Sequence, residues 1–178
     1  MNPLMSYLKF LPIAAQRQTT MTDPLAAYIQ DHLAGARFAV TLLQDLSKQN
    51  FDSDVAHFAI DLRSQVEADR QVLEEFSTQL GSATHSWKEV AAWVAQKVSQ
   101  LKLNLNTALG IFEAIEFLAL GVQGKLALWR ALDAARDADS RVGGLDLSTL
   151  SARAQSQYQE LESLRLKLVP RAIQSPKA

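Results

Sequence analysis

Two stretches of this sequence carry apolar residues at alternating spacings of four and three positions, which places them along one stripe of an α-helix. One stripe includes a histidine and the other an aspartate. The first stripe is formed by Leu25, Ile29, His32, Ala36, Ala39, Leu43 and Leu46. The second is formed by Val55, Ala59, Leu62, Val66, Asp69, Leu73, Phe76 and Leu80. Joined by a turn at residues 50–53, these stretches predict a helical hairpin.

Residues at the two ends of the hairpin indicate where its first helix begins and where its second helix ends. Asp23 and Pro24 are an N-cap acceptor followed by a proline at the first helical position, so the first helix should run from there to about Lys48. Gly81 lacks a Cβ and suits the left-handed position that follows a helix, which predicts that the second helix ends at Leu80.

The second half of the chain predicts another hairpin after a shorter helix. Ser86 and Glu89 form a capping box that opens a short helix to about residue 103. A third long helix should cover residues 107–136 and a fourth residues 146–173, with Pro170 bending or ending the latter. We therefore predict an all-α four-helix bundle of two antiparallel hairpins joined by a crossover helix.

The length of 178 residues suits one hydrophobic core, so we predict a single domain over residues 23–174. Residues 1–22 contain two bases, no acid and only a short apolar patch. That patch is too short for a signal peptide, whose apolar core has roughly 7–15 residues. We expect these residues to form a loosely attached N-terminal arm.

Composition removes several classes of function. The net charge of −1 gives no electrostatic basis for binding nucleic acid or an anionic membrane. The absence of cysteine excludes disulfides, thiolate zinc sites and a cysteine nucleophile, and it is compatible with a cytoplasmic protein. The most apolar stretch, residues 109–132, contains too many charges to be a membrane span of about 20 residues.

Two segments carry a resemblance to a known family. The run from Glu113 to Lys125, followed by Ala127-Leu128-Trp129, resembles the third core helix of a bacterial branch of the ferritin-like superfamily. The segment from Leu161 to Leu166 resembles the fourth core helix. The resemblance covers residues 24–173 and implies a ferritin-like four-helix bundle with an extra short crossover helix. No fixed activity is implied by this branch.

Ferritin-like proteins with a di-metal centre hold iron or manganese with one glutamate from each of two helices and an E-x-x-H motif from each of the other two. None of the three histidines, His32, His57 and His85, follows a glutamate at that spacing. At the corresponding positions, Arg70 follows Glu67 and Arg165 follows Glu162. Arginine stays protonated and would repel a metal dication. The resemblance therefore implies a degenerate site, and we expect no metal and no cofactor.

The helical period of about 100° per residue identifies the charged side chains that point inward. Asp69 shares the direction of its apolar stripe, whereas Glu67 points away from it. On the fourth helix Arg165 coincides with the apolar direction and Glu162 lies at its flank. His32 occupies a stripe position on the first helix. Glu113, Glu116 and Gln123 form the polar stripe of the third helix, which faces either solvent or a polar interior.

Distances along the chain place these residues at similar heights in the bundle. His32 and Asp69 lie almost equally far from the first turn, and Glu116 and Arg165 almost equally far from the second. We predict one buried polar layer in which Arg165 neutralises Glu116 and in which His32 and Asp69 are hydrogen-bonded nearby. The alternative is that Asp69 and Glu116 are only half-buried, at the edges of their helices.

Three functions remain open. The favoured one is a non-catalytic binding or interaction scaffold that forms a homodimer through the apolar flank of the third long helix. The second is an iron or manganese enzyme or storage protein that uses Glu113, Glu116, Asp69 and His32. The third is a sensor or carrier whose small ligand lies between the helices. Gly121 and Gly124 of the third long helix could mark either a close approach of two helices or room for that ligand.

Overall fold

The computed structural model describes residues 23–81 and 104–174, which contain four long α-helices and no β-strand. A short 3₁₀-helix, Ser140–Gly144, joins the third helix to the fourth. The long helices are α1 (Pro24–Lys48), α2 (Ser53–Gln79), α3 (Ala108–Ala134) and α4 (Leu147–Ala172). The prediction of an all-α chain with four long helices is confirmed. The N-terminal arm and the short crossover helix both lie outside the described residues.

Local capping explains where the first hairpin begins and ends. The Asp23 carboxylate accepts a hydrogen bond from the Leu25 N–H at 3.1 Å, and Pro24 follows at the first helical position. The Asp52 carboxylate caps α2 in the same way. After α2, Gly81 adopts a φ of 68°, a conformation that glycine accepts without steric cost.

The core shows how the helices run relative to one another. One half of it combines the C-terminal parts of α1 and α4 with the N-terminal parts of α2 and α3. The other half combines the opposite ends. Representative side chains of the first half are Leu43, Val55, Ile115 and Leu161. Representative side chains of the second half are Ile29, Phe76, Trp129 and Leu150.

This arrangement makes α1–α2 and α3–α4 antiparallel pairs and makes α2 and α3 run in the same direction. The two pairs also meet along α1–α3 and α2–α4, so the helices form a four-membered bundle. A helix as long as α2 spans about 40 Å. The chain between residues 81 and 104 must therefore connect opposite ends of the bundle.

Helix α3 is the most deeply embedded, yet it also carries exposed apolar side chains. Phe117 is 39% exposed and Leu120 is 64% exposed. Leu109, near the start of the helix, is 47% exposed. Among the described helices, none is both long enough and apolar enough to cross a membrane.

The start of α3 packs tightly against the residues before it. The Thr107 hydroxyl accepts a hydrogen bond from the Gly110 N–H at 3.1 Å, and the Asn104 carbonyl accepts one from the Thr107 N–H at 3.0 Å. This turn brings the Asn104 carbonyl oxygen so close that a Cβ on Gly110 would lie 2.1 Å from it. Any side chain at Gly110 therefore requires the backbone to move.

We predict that Gly110→Ala lowers the free energy of unfolding, although glycine to alanine in a helix normally raises it by about 0.5–1 kcal/mol. Gly124→Ala is the matched control, because a Cβ on Gly124 meets nothing within 4 Å. The control should show the normal gain. Urea denaturation measures both, and equal stabilisation by the two variants would contradict the close contact at Asn104.

Candidate functional site

A buried ion pair links three helices at the middle of the bundle. Asp69 of α2 is 2% exposed, and its Oδ2 accepts a hydrogen bond from Lys125 Nζ of α3 at 2.5 Å. Its Oδ1 forms an ion pair with the Arg153 guanidinium of α4, outside hydrogen-bond geometry. One carboxylate therefore faces two cations, each from a different helix.

A buried glutamine completes this cluster. Gln157 of α4 is fully buried, and its side-chain carbonyl accepts a hydrogen bond from the Lys125 ammonium. Its amide nitrogen donates to Gln65 at 3.1 Å and, more weakly, to Asp69 at 3.4 Å. We call Asp69, Lys125, Arg153 and Gln157 the polar cluster.

Burial shapes the electrostatics of the polar cluster. Desolvation lowers the pKa of the Lys125 ammonium, while the ion pair with Asp69 opposes that shift and Arg153 adds to it. Removing charges from water is costly, and one carboxylate cannot neutralise two cations. The polar cluster thus carries an excess of positive charge in a largely water-excluded place.

One wall of the polar cluster borders a cavity of about 160 Å³ between α1, α2 and α3. Its polar lining consists of Asp69, Lys125, Arg70 and His32. The rest is apolar or small, and it includes Phe38, Leu62, Val66, Leu73, Leu118, Val122, Leu128 and Trp129. An apolar cavity of about 150 Å³ is enough to hold benzene. The cavity can therefore hold a molecule with a body the size of one aromatic ring.

The cavity opens between α1 and α3. Gly35 of α1 and Gly121 of α3 both line it and are both exposed. A Cβ placed on either glycine meets nothing within 4 Å. These two helices also approach each other less closely than the partners within each hairpin. Two glycines therefore border the opening, and the backbone at both would accept a side chain.

His32 lies at the cavity without joining the polar cluster. Its ring is half-buried and packs edge-to-face against the Tyr28 ring, with centroids 4.7 Å apart. Burial lowers the pKa of its imidazole, and the nearby Asp31 opposes this shift. His32 and Asp69 line the same cavity but share no hydrogen bond. The expected hydrogen bond between them is therefore not formed.

Glu116 and Arg165 form the predicted pair at 3.3 Å, but at the surface. The Glu116 side chain is 48% exposed. Arg165 is bound more closely by Glu162, at 2.7 and 2.8 Å, and this contact lowers the pKa of the Glu162 carboxyl. Arg165 lies at the edge of α4, with its side chain 23% exposed. The single buried layer of His32, Asp69, Glu116 and Arg165 is therefore wrong.

The predicted flanking residues lie at the surface of the bundle, except that Arg70 also lines the cavity. Glu113 is half-buried and Gln123 is exposed, so the polar stripe of α3 faces solvent. On α2, Glu67 pairs with Arg63 at 3.7 Å. Arg70 reaches the cavity and pairs with Glu74 at 2.6 Å.

The described residues do not fit a di-metal centre of the kind that ferritin-like metalloproteins contain. Among residues 23–81 and 104–174, no three histidine or carboxylate side chains lie close enough together to hold a metal ion. Asp69, the one fully buried carboxylate in the part of the chain that the structure describes, has Lys125 and Arg153 at its oxygens. Both cations would repel a dication at that point.

Comparisons of the chain with protein-family models, with curated proteins and with solved structures found no match. The roles of individual residues must therefore be inferred from the cavity and its polar wall. Lys125, Arg153 and Gln157 were missed in the sequence, where Lys125 resembled one of several scattered bases. Asp69 itself was the sequence feature that indicated a cationic side chain nearby, because a carboxylate within an apolar helix stripe requires a counter-charge.

We predict that Asp69→Asn lowers the free energy of unfolding by about 3–5 kcal/mol, because it leaves the largely buried Lys125 without its counter-charge. Glu116→Gln is the matched control, since it neutralises an exposed carboxylate and should cost under about 1 kcal/mol. Urea denaturation measures both. Equal costs for the two variants would show that the polar cluster is not a buried ion pair in solution.

Proposed function

We propose that this chain is a non-catalytic bundle of the ferritin-like type that contains no metal and binds a small molecule in the cavity between α1, α2 and α3. The observation that carries the proposal is an apolar cavity of about 160 Å³ with a charged inner wall and an open side. Binding sites for small molecules commonly combine an apolar lining with a few placed polar groups. Helical bundles often build such sites between facing helices.

The direction of the helices supports the ferritin-like assignment. Ferritin-like bundles consist of two antiparallel hairpins joined by one long connection. Here α2 and α3 run in the same direction, so the chain from residue 81 to residue 104 has to join opposite ends of the bundle. This connectivity agrees with the resemblance of residues 113–129 and 161–166 to the third and fourth core helices of that superfamily.

The polar cluster favours binding over metal chemistry. Asp69 is occupied by Lys125 and Arg153, and Glu116 is exposed at the edge of α3. The alternative of an iron or manganese enzyme or storage protein requires several carboxylates directed at one point. That alternative has less support from the described side chains than a ligand cavity has.

The proposal predicts that small aromatic compounds, screened as a panel of neutral and charged members, perturb the indole N–H signal of Trp129 in NMR titrations. Gly121→Trp should abolish the perturbation without unfolding the protein, because the new ring would cover the open side of the cavity. Gly143→Trp is the matched control, since Gly143 is also free of contacts and lies outside the cavity.

Two results would overturn this proposal. One is that no member of the panel perturbs Trp129. The other is stoichiometric iron or manganese in elemental analysis of the same preparation, purified without a chelator. The second result would favour the carboxylate-rich metal protein instead.

We also propose that the chain forms a homodimer through the exposed side of α3. Leu120 is the most exposed large apolar side chain there, and Phe117, one helical turn earlier, is partly exposed and also lines the edge of the cavity. Exposed apolar side chains grouped on one helix face are typical of protein interfaces. The Leu120 side chain is not part of the bundle core, so it can contact another copy of the chain.

The dimer proposal predicts that Leu120→Lys produces a monomer at micromolar concentration, because an interface would bury the charge. Leu166→Lys is the control: Leu166 is similarly exposed but lies on α4. Size-exclusion chromatography with light scattering measures the mass of both. A monomeric unmodified protein at the same concentration would exclude the homodimer.

A further inference from the structure

The charged groups around the cavity are unbalanced. Asp69 and Lys125 line it, with Arg153 behind them at the Asp69 carboxylate. Arg70 also lines the cavity and pairs with Glu74. The ion-paired groups at this wall of the cavity are therefore three cations and two carboxylates.

A further cation increases this excess. Arg37 of α1 binds the same Glu74 oxygen as Arg70 does, at 3.3 Å. His32 contributes no charge at neutral pH, because burial lowers the pKa of its imidazole. Asp31, whose charge opposes that shift, is exposed at the surface of α1. The cavity wall is therefore electropositive.

Hydrogen-bond donors at the cavity also outnumber the acceptors available to them. A lysine ammonium has three donors, and Asp69 and Gln157 accept two of those of Lys125. The buried indole N–H of Trp129, another lining residue, has no acceptor among the described residues. That nitrogen is closed off even from a water molecule, so it does not face the cavity. The donor that a ligand in the cavity can reach is the third N–H of Lys125.

We propose that the cavity binds a small apolar anion, a carboxylate with a body the size of one aromatic ring, whose charged group lies against Lys125. This inference rests on the proposed ligand-binding function and adds the chemical class of the ligand. The carboxylate accepts the third Lys125 donor, and its ring packs among Leu62, Val66 and Leu118. The volume of about 160 Å³ limits the body to about one ring.

The test compares benzoate with benzamide, which has nearly the same shape but no charge. Isothermal titration calorimetry should give benzoate at least about tenfold higher affinity than benzamide, because a charge-assisted hydrogen bond is roughly twice as strong as a neutral one. Lys125→Met should remove that difference by weakening benzoate alone. Lys167→Met is the matched control, because Lys167 is exposed on α4 and lies outside the cavity.

The outcomes separate this inference from the proposed function. If benzamide binds as tightly as benzoate, the cavity binds ligands but does not select anions, and the inference fails alone. If neither compound binds, both fail. Unchanged benzoate affinity in Lys125→Met or in Gly121→Trp would place the anion elsewhere and overturn the inference.

A second measurement keeps the test decisive if Lys125→Met does not fold. In the unmodified protein, bound benzoate should give nuclear Overhauser contacts from its ring protons to the methyl groups of Leu62, Val66 and Leu118. These side chains line the cavity and are 1–5% exposed, so surface binding cannot produce such contacts. Contacts confined to exposed methyl groups would overturn the inference.

Discussion

The buried carboxylate of Asp69 is the constraint on which the rest of the structure depends. A carboxylate at 2% exposure is tolerated only with a counter-charge, and here Lys125 and Arg153 supply it from two other helices. This requirement fixes the positions of α2, α3 and α4 along one another, because sliding any helix by one turn would separate the charges. Apolar side chains alone specify register less strictly, since a leucine can pack against many neighbours.

The cavity lies beside α1, the long helix that takes no part in the polar cluster. The polar cluster connects α2, α3 and α4, whereas α1 contributes no residue to it. Helix α1 is joined to α2 by their apolar interface and by the Arg37–Glu74 contact, and it meets α3 less closely than it meets α2. Small residues where α1 faces α3, Gly35 and Gly121, leave space unfilled. The space for a ligand therefore lies next to the polar cluster and on the side that the cluster does not connect.

The limits of the helices and the burial of Asp69 could be predicted from the sequence because both depend on local features. Asp23, Pro24 and Gly81 act within one turn of the chain, and Asp69 falls on its own helix stripe. The partners of Asp69 could not be predicted, because they depend on how far helices distant in sequence slide past one another. The error at Arg165 has the same origin, because only the packing of α4 against the other helices shows that this position lies at the surface.

The charge balance of the polar cluster decides which ligands the cavity can accept. A carboxylate-bridged metal centre places several anionic oxygens around two cations that can exchange with solvent. Here the arrangement of charges is the opposite, since one carboxylate lies between two cationic side chains of the protein itself. An entering dication meets ammonium and guanidinium groups, whereas an entering anion meets free donors in a place where water screens little. The side-chain charges at this wall therefore oppose a dication and agree with the anionic ligand that we propose.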